Sequence, residues 1–523
     1  AKSPMNNYHA VTNFGGYWGA ELRHAGCDHL VISGASAQPV YLYINNEQVE
    51  IRDARHLWGL DTYQTAAELR RELRDEDIQV LTIGPAGENL VRFACLTTHL
   101  GDAAGRTGMG AVMGAKKLKA VAVRGRKWVT VADPPGYLEL CRELDQQILD
   151  HPEYAQRRTL GSTLLMKALN RLGILPTNHF QQGLCAYVER VSGERLAQEF
   201  KVKNKSCFNC NIHCSRYYLT AEVECEGPEY ETLCSYTSRT GNDDLEFALN
   251  VNAFLNRMGI DSLSSGETIG WAMECVQRGL LTKDDLDGLD FTWGNRQTIA
   301  ELLPKIVRRE GIGDAFAEGT RSLARRFGRG TEDYAFHVKG LDMICGDPRG
   351  IKAFGLTYAI ASRGGDHLRA EPFFELTQRY EEAEKRWGIR EIADRLSDQG
   401  KAVLVEHTER QALLTDCLTM CKNIGLSMDL LDFDFASRLL CAGTGLQFTP
   451  ERIDEVLKGI IERDRRLNID FGVTGSQDTL PPRFTDEPLE AGASRGTVVP
   501  VARMVKEYYQ IKGWDEQGNP GKL

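Results

Sequence analysis

The sequence predicts an α+β fold, in which a β-rich N-terminal domain precedes two mainly α-helical domains. Its 523 residues exceed the size that one hydrophobic core serves, so two or three domains are expected. Short strand and turn patterns dominate the first part of the chain, whereas apolar residues recur at helical spacing through the rest. We therefore predict domains at residues 1–130, 131–336 and 337–523.

Four short apolar runs bounded by turn residues are the strand candidates of the first domain: 40–44, 48–51, 80–83 and 120–123. The first two flank the turn-forming pair Asn45-Asn46, so they are predicted to pair as a hairpin. Helical spacing of apolar residues predicts one helix at 63–73. Pro134-Pro135 predicts a linker behind the last strand.

Amphipathic patterns predict helices through the second and third domains: 137–149, 245–258, 299–309, 314–327, 398–424 and 450–466. The segment 245–258 is the clearest case, with Asn242 or Asp243 as its N-cap. Gly259 is predicted to end this helix in a left-handed conformation, and Ile260 to make the apolar contact that follows. The next helix is predicted to begin near Ser265.

The composition excludes several classes of protein. With a net charge of −10 and a pI of about 5.7, the chain lacks the basic surface that non-specific nucleic-acid binding requires. No run of about 18 apolar residues occurs, so no membrane span is predicted. The 14 cysteines are too diluted for a disulfide scaffold and indicate a reducing, cytoplasmic compartment. The chain begins Ala-Lys-Ser-Pro without an initiator Met, so we expect the native N-terminus to be missing.

A group of closely spaced cysteines carries the most specific chemistry. Its three members follow the pattern C-x2-C-x3-C: Cys207, Cys210 and Cys214. Converging thiolates indicate a soft metal centre, and the spacing favours an iron–sulfur cluster over structural zinc, with disulfides as a third alternative. Either metal centre needs a fourth ligand, which is His213 or a residue far along the chain. Cys421 is the natural distant candidate, and Cys417 competes with it because spacing does not decide between them.

Two glycine-rich stretches allow the backbone to approach a ligand closely. The longer one covers residues 101–114 and leads into Lys116, Lys117 and Lys119, a pattern suited to an anionic ligand. It is neither a Walker loop nor a dinucleotide fingerprint, and a tight loop between strands is the alternative. The shorter one covers residues 13–19 and is either a second wall of the same pocket or, more simply, a turn under an aromatic pair.

Two further segments hold candidate acids and bases. Carboxylates are dense at residues 226–231, although such a run is usually a solvated face. The segment 363–367 joins Arg363, two glycines, Asp366 and His367, which suits proton transfer, although a single histidine is more often structural.

Five stretches, taken together and in their order along the chain, resemble the tungsten-containing aldehyde:ferredoxin oxidoreductase family: residues 103–114, 207–214, 226–231, 363–367 and 508–514. The similarity runs through the whole chain. Against the family pattern, the chain starts late and lacks a large N-terminal part of the usual first domain. The resemblance implies a β-rich domain beneath a cofactor, which two helical domains surround.

The resemblance implies one tungsten, or molybdenum, held by two pyranopterin-dithiolene molecules, with a [4Fe-4S] cluster nearby. It assigns the cluster to four thiols: Cys207, Cys210, Cys214 and Cys421. It assigns the pterin contacts to residues spread over the chain: Asn13, Gly15, Ala103, Gly105, Arg106, Ile260, Asp261, Arg363 and His367. Lys422, which replaces a Leu beside the last cluster ligand, joins this predicted set. The backbone carbonyls of Asn13 and Ala103 are implied to hold a Mg²⁺ between the pterin phosphates.

Several positions depart from the family pattern. Asp102 stands where an Arg is usual, and Asn256 replaces the first Asp of the motif D-x-x-G-L-D. The second such motif, at 416–421, has lost its glycine. Asn250 and Ala253 occupy the positions that bind an inter-subunit metal in some members, so that metal site is predicted to be absent.

The resemblance implies oxidation of small aldehydes to carboxylic acids, with electrons leaving through the cluster to ferredoxin or an iron–sulfur partner subunit. Glu231 is implied as the general base, and His367 as the group that orients the carbonyl oxygen. A related reaction, reduction of an aromatic acyl-CoA thioester, is an alternative that a metal-ligating cysteine among Cys234, Cys345 and Cys417 would favour. A cluster-only electron-transfer subunit is the other alternative, because Asp102 and Asn256 depart from the pterin pattern.

Overall fold

The computed structural model describes residues 1–98 and 101–521, so the last two residues of the predicted third domain lie outside it. The strands are β1 (Val40–Asn45), β2 (Gln48–Asp53), β3 (Gln79–Thr82), β4 (Leu96–Thr98), β5 (Asp102–Ala104), β6 (Leu118–Arg124), β7 (Lys201–Lys205), β8 (Ser215–Leu219), β9 (Glu224–Glu226), β10 (His337–Val338) and β11 (Leu341–Asp342). Among them, β1 to β6 form one sheet and β7 to β9 a second, smaller sheet.

The helices are α1 (Trp18–His24), α2 (Thr62–Leu73), α3 (Pro85–Glu88), α4 (Met109–Ala115), α5 (Pro134–Asp150), α6 (Tyr154–Leu160), α7 (Leu165–Leu172), α8 (Gly193–Glu199), α9 (Tyr230–Ser235), α10 (Leu245–Met258), α11 (Ser262–Gln277), α12 (Arg296–Arg308), α13 (Ile312–Phe316), α14 (Thr320–Phe327), α15 (Lys352–Ile360), α16 (Tyr380–Trp387), α17 (Lys401–Cys417), α18 (Phe433–Thr444), α19 (Pro450–Asp470), α20 (Pro482–Thr485) and α21 (Val501–Lys512). Most of them follow the first sheet, which confirms the predicted α+β class. No helix of the described ranges has the length and apolar character needed to span a membrane.

The larger sheet has the strand order β2-β1-β6-β3-β4-β5. Its β1–β2 pair is the predicted hairpin, with Val40 opposite Asp53 and Asn45 opposite Gln48. Asn46 adopts a left-handed conformation at the turn (φ 53°), which asparagine tolerates well. The predicted strands at 80–83 and 120–123 are confirmed as β3 and β6.

Helices cover both faces of this sheet because successive strand residues point to opposite sides. On one face, Trp18 of α1 packs in a cluster with Leu42 of β1. On the other face, Leu69 of α2 packs in a cluster with Tyr41, the neighbouring residue of the same strand. The inner strands are therefore buried between helices, whereas the edge strand β2 is largely exposed.

The predicted helix at 245–258 is confirmed as α10, but its N-cap is Asp244 and not Asn242 or Asp243. Gly259 ends the helix at φ 72°, in the predicted left-handed conformation. The following helix α11 begins at Ser262, before the predicted Ser265, because the Asp261 carboxylate accepts a hydrogen bond from the Leu263 amide.

Three other predicted boundaries were wrong. Pro134-Pro135 begins α5 instead of forming a linker, because Asp133 caps the helix and proline is tolerated in the first turn. The predicted helix 314–327 is divided into α13 and α14 at Gly319, which has φ 82°. The predicted helix 398–424 ends at Cys417, and Thr419 follows in a left-handed conformation (φ 54°). Cys421 therefore lies in an irregular connection between helices.

Candidate active site

The three closely spaced thiols lie on the connection between β7 and β8. Cys210 donates its amide hydrogen to the Cys207 carbonyl at 3.3 Å, which closes a tight turn. Asn209 and His213 both adopt left-handed conformations, with φ of 51° and 54°. Two such reversals within a few residues keep Cys207, Cys210 and Cys214 on one compact loop.

Cys421 joins this loop, whereas Cys417 does not. Burial raises the pKa of Cys207 to about 12, and the nearby Cys421 and Cys210 thiols contribute to the shift. The pKa of Cys417 is raised by burial and by Asp416, with no contribution from the three loop thiols. The Cys421 side chain is exposed to solvent, and its pKa is raised by the surrounding protein atoms, with a contribution from the nearby Cys210 thiol.

Residues 1–98 and 101–521 contain no group of three His, Cys, Asp or Glu side chains arranged around a single metal ion.

The shorter glycine stretch packs directly against the thiol loop. A Cβ atom at Gly15 would lie 2.6 Å from the Cys207 sulfur. The Gly16 carbonyl accepts a hydrogen bond from the Phe208 amide at 3.1 Å. Asn13 donates from its side chain to Asp416 at 3.1 Å. This stretch is therefore one wall of the site, although it also carries the aromatic contact between Phe14 and Trp18 that the sequence suggested.

The longer glycine stretch has two structural roles. Gly108, Gly110 and Gly114 allow close packing of backbones: a Cβ at Gly114 would lie 1.9 Å from the Gly87 carbonyl oxygen. These glycines serve the fold, and the second half of the stretch is helix α4. Gly105 differs, because a Cβ there would meet no atom within 4 Å. Open space for a ligand therefore lies at Gly105 and not along the whole stretch.

Two buried arginines and one buried aspartate connect distant segments beside Gly105. Arg106 donates to the Gly365 carbonyl at 3.0 Å and to the Asp366 carboxylate at 3.3 Å. Arg363 donates to the other Asp366 oxygen at 2.7 Å and to the Val11 carbonyl. Burial alone would raise the pKa of Asp366, but Arg363 and Arg106 hold it below its ordinary value. The carboxylate is therefore ionised and holds both guanidinium groups in place.

The same region contains polar atoms without hydrogen-bond partners in the described part of the chain. They are the Nε atoms of Arg106 and Arg363, the Thr107 hydroxyl and Nδ1 of His367. A buried donor left unpaired costs about 1–3 kcal/mol. Other buried arginines, such as Arg239 and Arg483, also have unpaired Nε atoms, so the open space at Gly105 is what makes this group a candidate site for a ligand with several acceptor atoms, such as a phosphate.

Asp261 and Ile260 lie at the start of α11 and face the first domain. The Asp261 amide donates to the Phe93 carbonyl at 3.0 Å, and Ile260 forms a β-bridge with Ala94. One Asp261 oxygen lies 3.7 Å from Nε of Arg106. Burial raises the pKa of Asp261, and Arg106 opposes that shift. The helix N-terminus, with its positive dipole end, is therefore beside the buried arginines.

Glu231 and His367 reach the site from different elements. Glu231 lies in the first turn of α9 and accepts a hydrogen bond from the Cys345 amide at 2.8 Å. Nε2 of His367 lies 3.8 Å from Glu371. The buried Tyr358 lies near Glu231 and near Asp366, the residue before His367. Its pKa is raised by burial and then by charges that include these two carboxylates.

Other contacts between charged groups at the site were not predicted from the sequence. Burial raises the pKa of Asp102 to about 7, and the nearby Glu226 contributes. Glu226 is itself buried, so the run 226–231 is not the solvated face that such a run usually forms. Lys422 donates to Asp416 at 2.7 Å, and Arg369 contacts the other Asp416 oxygen at 3.1 Å. These pairs join residues far apart in the sequence, so no local pattern announces them.

Two family models match this chain. Residues 1–125 match the family model "Aldehyde ferredoxin oxidoreductase, N-terminal domain", and residues 139–522 match "Aldehyde ferredoxin oxidoreductase, domains 2 & 3". The tungsten-containing aldehyde ferredoxin oxidoreductase of Pyrococcus abyssi is 38% identical, over 99% of this chain and 84% of its own length. The aliphatic sulfonate oxidoreductase WOR-like subunit of Pyrococcus furiosus is 28% identical, over 99% and 83%. Among solved structures, the active-site complex BamBC of benzoyl coenzyme A reductase with 1,5-dienoyl-CoA gives a TM-score of 0.84 at 27% identity, over 99% and 84%.

Proposed function

Because the chain belongs to the aldehyde ferredoxin oxidoreductase family, we propose that it oxidises small aldehydes to carboxylic acids with a tungsten (or molybdenum) bis-pyranopterin cofactor. A [4Fe-4S] cluster held by the four thiols would supply one-electron transfer to ferredoxin or an iron–sulfur partner subunit. One observation carries this proposal: residues 11–15 connect the two parts of the site, because the Val11 carbonyl accepts a hydrogen bond from the buried Arg363 and a Cβ at Gly15 would lie 2.6 Å from the Cys207 sulfur.

The residues around Gly105 fit a pterin phosphate. Arg106 and Arg363 supply buried positive charge and unpaired Nε donors, and Gly105 leaves room for the approach of a ligand. The N-terminus of α11, with Ile260 and Asp261, would hold the polar edge of the cofactor. The backbone carbonyls of Asn13 and Ala103 would hold the Mg²⁺ between the phosphates. When bound, the tungsten bis-pterin group supplies the two-electron redox chemistry.

The four thiols Cys207, Cys210, Cys214 and Cys421 would hold the [4Fe-4S] cluster. All-cysteine ligation permits low reduction potentials, which suits transfer to a ferredoxin. The contact between Gly15 and Cys207 supports this assignment, because the same stretch would then touch both the pterin and the cluster. Lys422 follows Cys421 in the sequence. Because its ammonium group already donates to the Asp416 carboxylate, it would influence the cofactors only through that carboxylate.

The proton chemistry falls to Glu231 and His367. Glu231, held by the Cys345 amide, accepts a proton from the water that attacks the aldehyde carbonyl. His367 donates a hydrogen bond from Nδ1 to the carbonyl oxygen as negative charge develops there. The overall change converts one aldehyde and one water into a carboxylic acid, two protons and two electrons.

The substitution Glu231→Gln tests the proposal most directly. We expect turnover with aldehydes and a viologen acceptor to fall by about 10²–10⁴-fold, the usual contribution of a general base. Elemental analysis of anaerobically purified wild type and variant should give about four iron atoms and about one tungsten or molybdenum per chain. Glu224→Gln, an exposed carboxylate of the same segment, is the matched control and should retain activity. Zinc in place of iron, or near-wild-type activity of Glu231→Gln, contradicts the proposal.

A second candidate is reduction of an aromatic acyl-CoA thioester, which the similarity to the benzoyl coenzyme A reductase complex supports. The supporting contact in this chain is at Cys345, whose amide binds Glu231 and whose sulfur lies 3.5 Å from the Glu231 carbonyl oxygen. Cys234 is equally buried, whereas Cys417 is exposed. Activity with an aromatic CoA thioester and a low-potential donor, without aldehyde oxidation, would select this candidate. A chain with about four iron atoms but no tungsten or molybdenum would select the cluster-only subunit.

A further inference from the structure

We infer that Arg239 is a positioning residue for Glu231, the proposed general base, and that it acts through the peptide group between Ile344 and Cys345. This inference rests on the proposed function, because it names the group that would hold the base of that reaction in place. In this role Arg239 would not touch the substrate.

One peptide group lies between the two side chains. The Ile344 carbonyl accepts a hydrogen bond from Nη2 of Arg239 at 2.8 Å. The Cys345 amide, which is the other end of the same peptide group, donates to the Glu231 carboxylate at 2.8 Å. Because the C=O and N–H bonds of a trans peptide point in opposite directions, Arg239 and Glu231 lie on opposite sides of it.

The charges of the two side chains match the dipole of this peptide group. A cation beside the carbonyl oxygen and a carboxylate beside the amide hydrogen each lie at the favourable end of that dipole. Hydrogen bonds connected in this way polarise one another, most strongly where water is excluded, and Arg239 is fully buried. The charge of Arg239 therefore strengthens the hydrogen bond that fixes Glu231.

The neighbouring backbone is held by the same elements. Nη2 of Arg239 also donates to the Met343 carbonyl at 3.2 Å. The hydroxyl of Tyr230, which precedes Glu231 in α9, donates to the Cys345 carbonyl. The backbone from Met343 to Cys345 is therefore fixed both by Arg239 and by the helix that carries the base.

The contacts of Arg239 indicate that its charge matters beyond packing. Nη1 lies 3.4 Å from Glu267, and the guanidinium carbon lies 4.9 Å from the centre of the Phe180 ring. Among the described residues, however, only Nη2 makes hydrogen bonds, and both go to neutral carbonyls. A neutral donor could hold these carbonyls without the cost of burying a charge, so the carboxylate beyond the peptide group explains why a cation is used.

A double-mutant cycle in the holoenzyme tests the inference. We expect Arg239→Gln to lower kcat for aldehyde oxidation with benzyl viologen by about 10- to 100-fold, because misplacing a reacting group by about 1 Å can cost about 100-fold. The KM for the aldehyde should stay near the wild-type value. In the Glu231→Gln background the same substitution should change kcat by about 2-fold at most, because no base is left to position.

Arg483→Gln is the matched control. Arg483 is also buried and donates to Glu274 at 2.7 Å, but within the described residues no hydrogen bond joins it to residues 343–345. This variant should lose stability and keep kcat near the wild-type value. If Arg239→Gln does not fold, Arg239→Lys replaces it in the cycle, with a smaller expected loss because lysine keeps the charge but not the planar fork.

Three results would overturn the inference: wild-type kcat in Arg239→Gln, a loss that multiplies with that of Glu231→Gln, or an equal loss in Arg483→Gln. If the wild-type holoenzyme oxidises no aldehyde, the proposed function fails, and hydrogen–deuterium exchange decides the positioning role. The Cys345 amide should then exchange about 10-fold faster or more in Arg239→Gln, because its hydrogen bond to a carboxylate is weakened, and at the wild-type rate in Arg483→Gln. Unchanged exchange in Arg239→Gln would overturn the inference without any measurement of activity.

Discussion

Two buried charged networks lie within this molecule, and they differ in whether open space lies beside them. The first, called the arginine–aspartate network, consists of Arg106, Arg363, Asp366 and Asp261. The second, called the histidine–glutamate network, consists of His179, Glu267, Glu274, Arg239 and Arg483. All nine side chains are buried, so burial does not distinguish the networks.

The histidine–glutamate network holds its histidine between two carboxylates, although Nε and Nη1 of Arg239, Nε of Arg483 and one Glu267 oxygen make no hydrogen bond in the described residues. His179 lies between Glu274 and Glu267, with 2.8 Å to each carboxylate. Arg483 donates to Glu274 at 2.7 Å, and Arg239 lies 3.4 Å from Glu267. A network paired in this way connects helices and stabilises the fold.

The arginine–aspartate network lies beside Gly105, where an added Cβ atom would meet no atom within 4 Å. Nε of Arg363 has no partner in the described residues, and Nε of Arg106 has only a distant ion pair with Asp261. The members come from segments that the fold brings together from far apart in the sequence. We therefore propose that the arginine–aspartate network, called the open network because space lies beside Gly105, binds an anionic cofactor, whereas the histidine–glutamate network, called the closed network, stabilises the protein.

The largest expected effect comes from removing a donor of the open network. We expect Arg106→Gln to weaken binding of the pterin cofactor by roughly 10–100-fold, because a hydrogen bond to a charged group contributes about 1.5–3 kcal/mol. Tungsten or molybdenum per chain should fall steeply in the purified protein. Iron should stay near the wild-type value, because the thiol loop is untouched. Arg106→Lys, which retains charge but not the planar fork, should give an intermediate metal content.

A loss of iron together with tungsten in Arg106→Gln would contradict the comparison. It would mean that the open network supports the whole structure, as the closed network does. Thermal unfolding of the purified variant, measured beside wild type, separates the two results.

The closed network should show the opposite behaviour. Glu274→Gln leaves His179 and Arg483 facing a neutral amide, and breaking a buried ion pair in this way costs about 3–5 kcal/mol. We expect faster unfolding in urea, with tungsten and iron contents like those of wild type. A variant that unfolds normally but loses tungsten would reverse the roles assigned to the two networks.

The pH dependence of the stability lost in Glu274→Gln shows whether the ion pairs of Glu274 are its cause. Burial alone would raise the pKa of Glu274, but His179 and Arg483 lower it to about 2. A carboxylate with a lowered pKa contributes stability above its unfolded value of about 4.3, and that contribution disappears as the pH falls toward the folded value. The difference in unfolding free energy between wild type and Glu274→Gln should therefore be largest near neutral pH and become smaller between about pH 4 and pH 2.

The sequence was informative wherever the determining contacts are local. The hairpin around Asn45-Asn46, the left-handed end at Gly259 and the spacing of the three loop cysteines each depend on a few neighbouring residues, and the structure has all of them. Pro134 shows the limit of local reasoning, because the Asp133 cap turned an apparent linker into the first turn of α5.

Neither charged network could be recognised from local pattern alone. His179 meets Glu267 and Glu274 only through tertiary packing, and nothing in the sequence around His179 differs from an ordinary turn. Arg106 and Arg363 were assigned through the family resemblance, but their shared carboxylate Asp366 was noted only as part of a motif. Partners that are distant in sequence carry no periodicity, so their pairing requires the structure.

The smallest expected effect separates the two roles of Asp261, as a helix cap and as a member of the open network. Asp244 and Asp261 both cap helices, but only Asp261 belongs to the open network. Each substitution to alanine should cost about 1 kcal/mol of stability through the lost cap. Only Asp261→Ala should also lower the tungsten content, whereas Asp261→Asn, which keeps the cap, should lower it without the loss of stability. Equal tungsten contents in Asp244→Ala and Asp261→Ala would show that Asp261 acts as a helix cap alone.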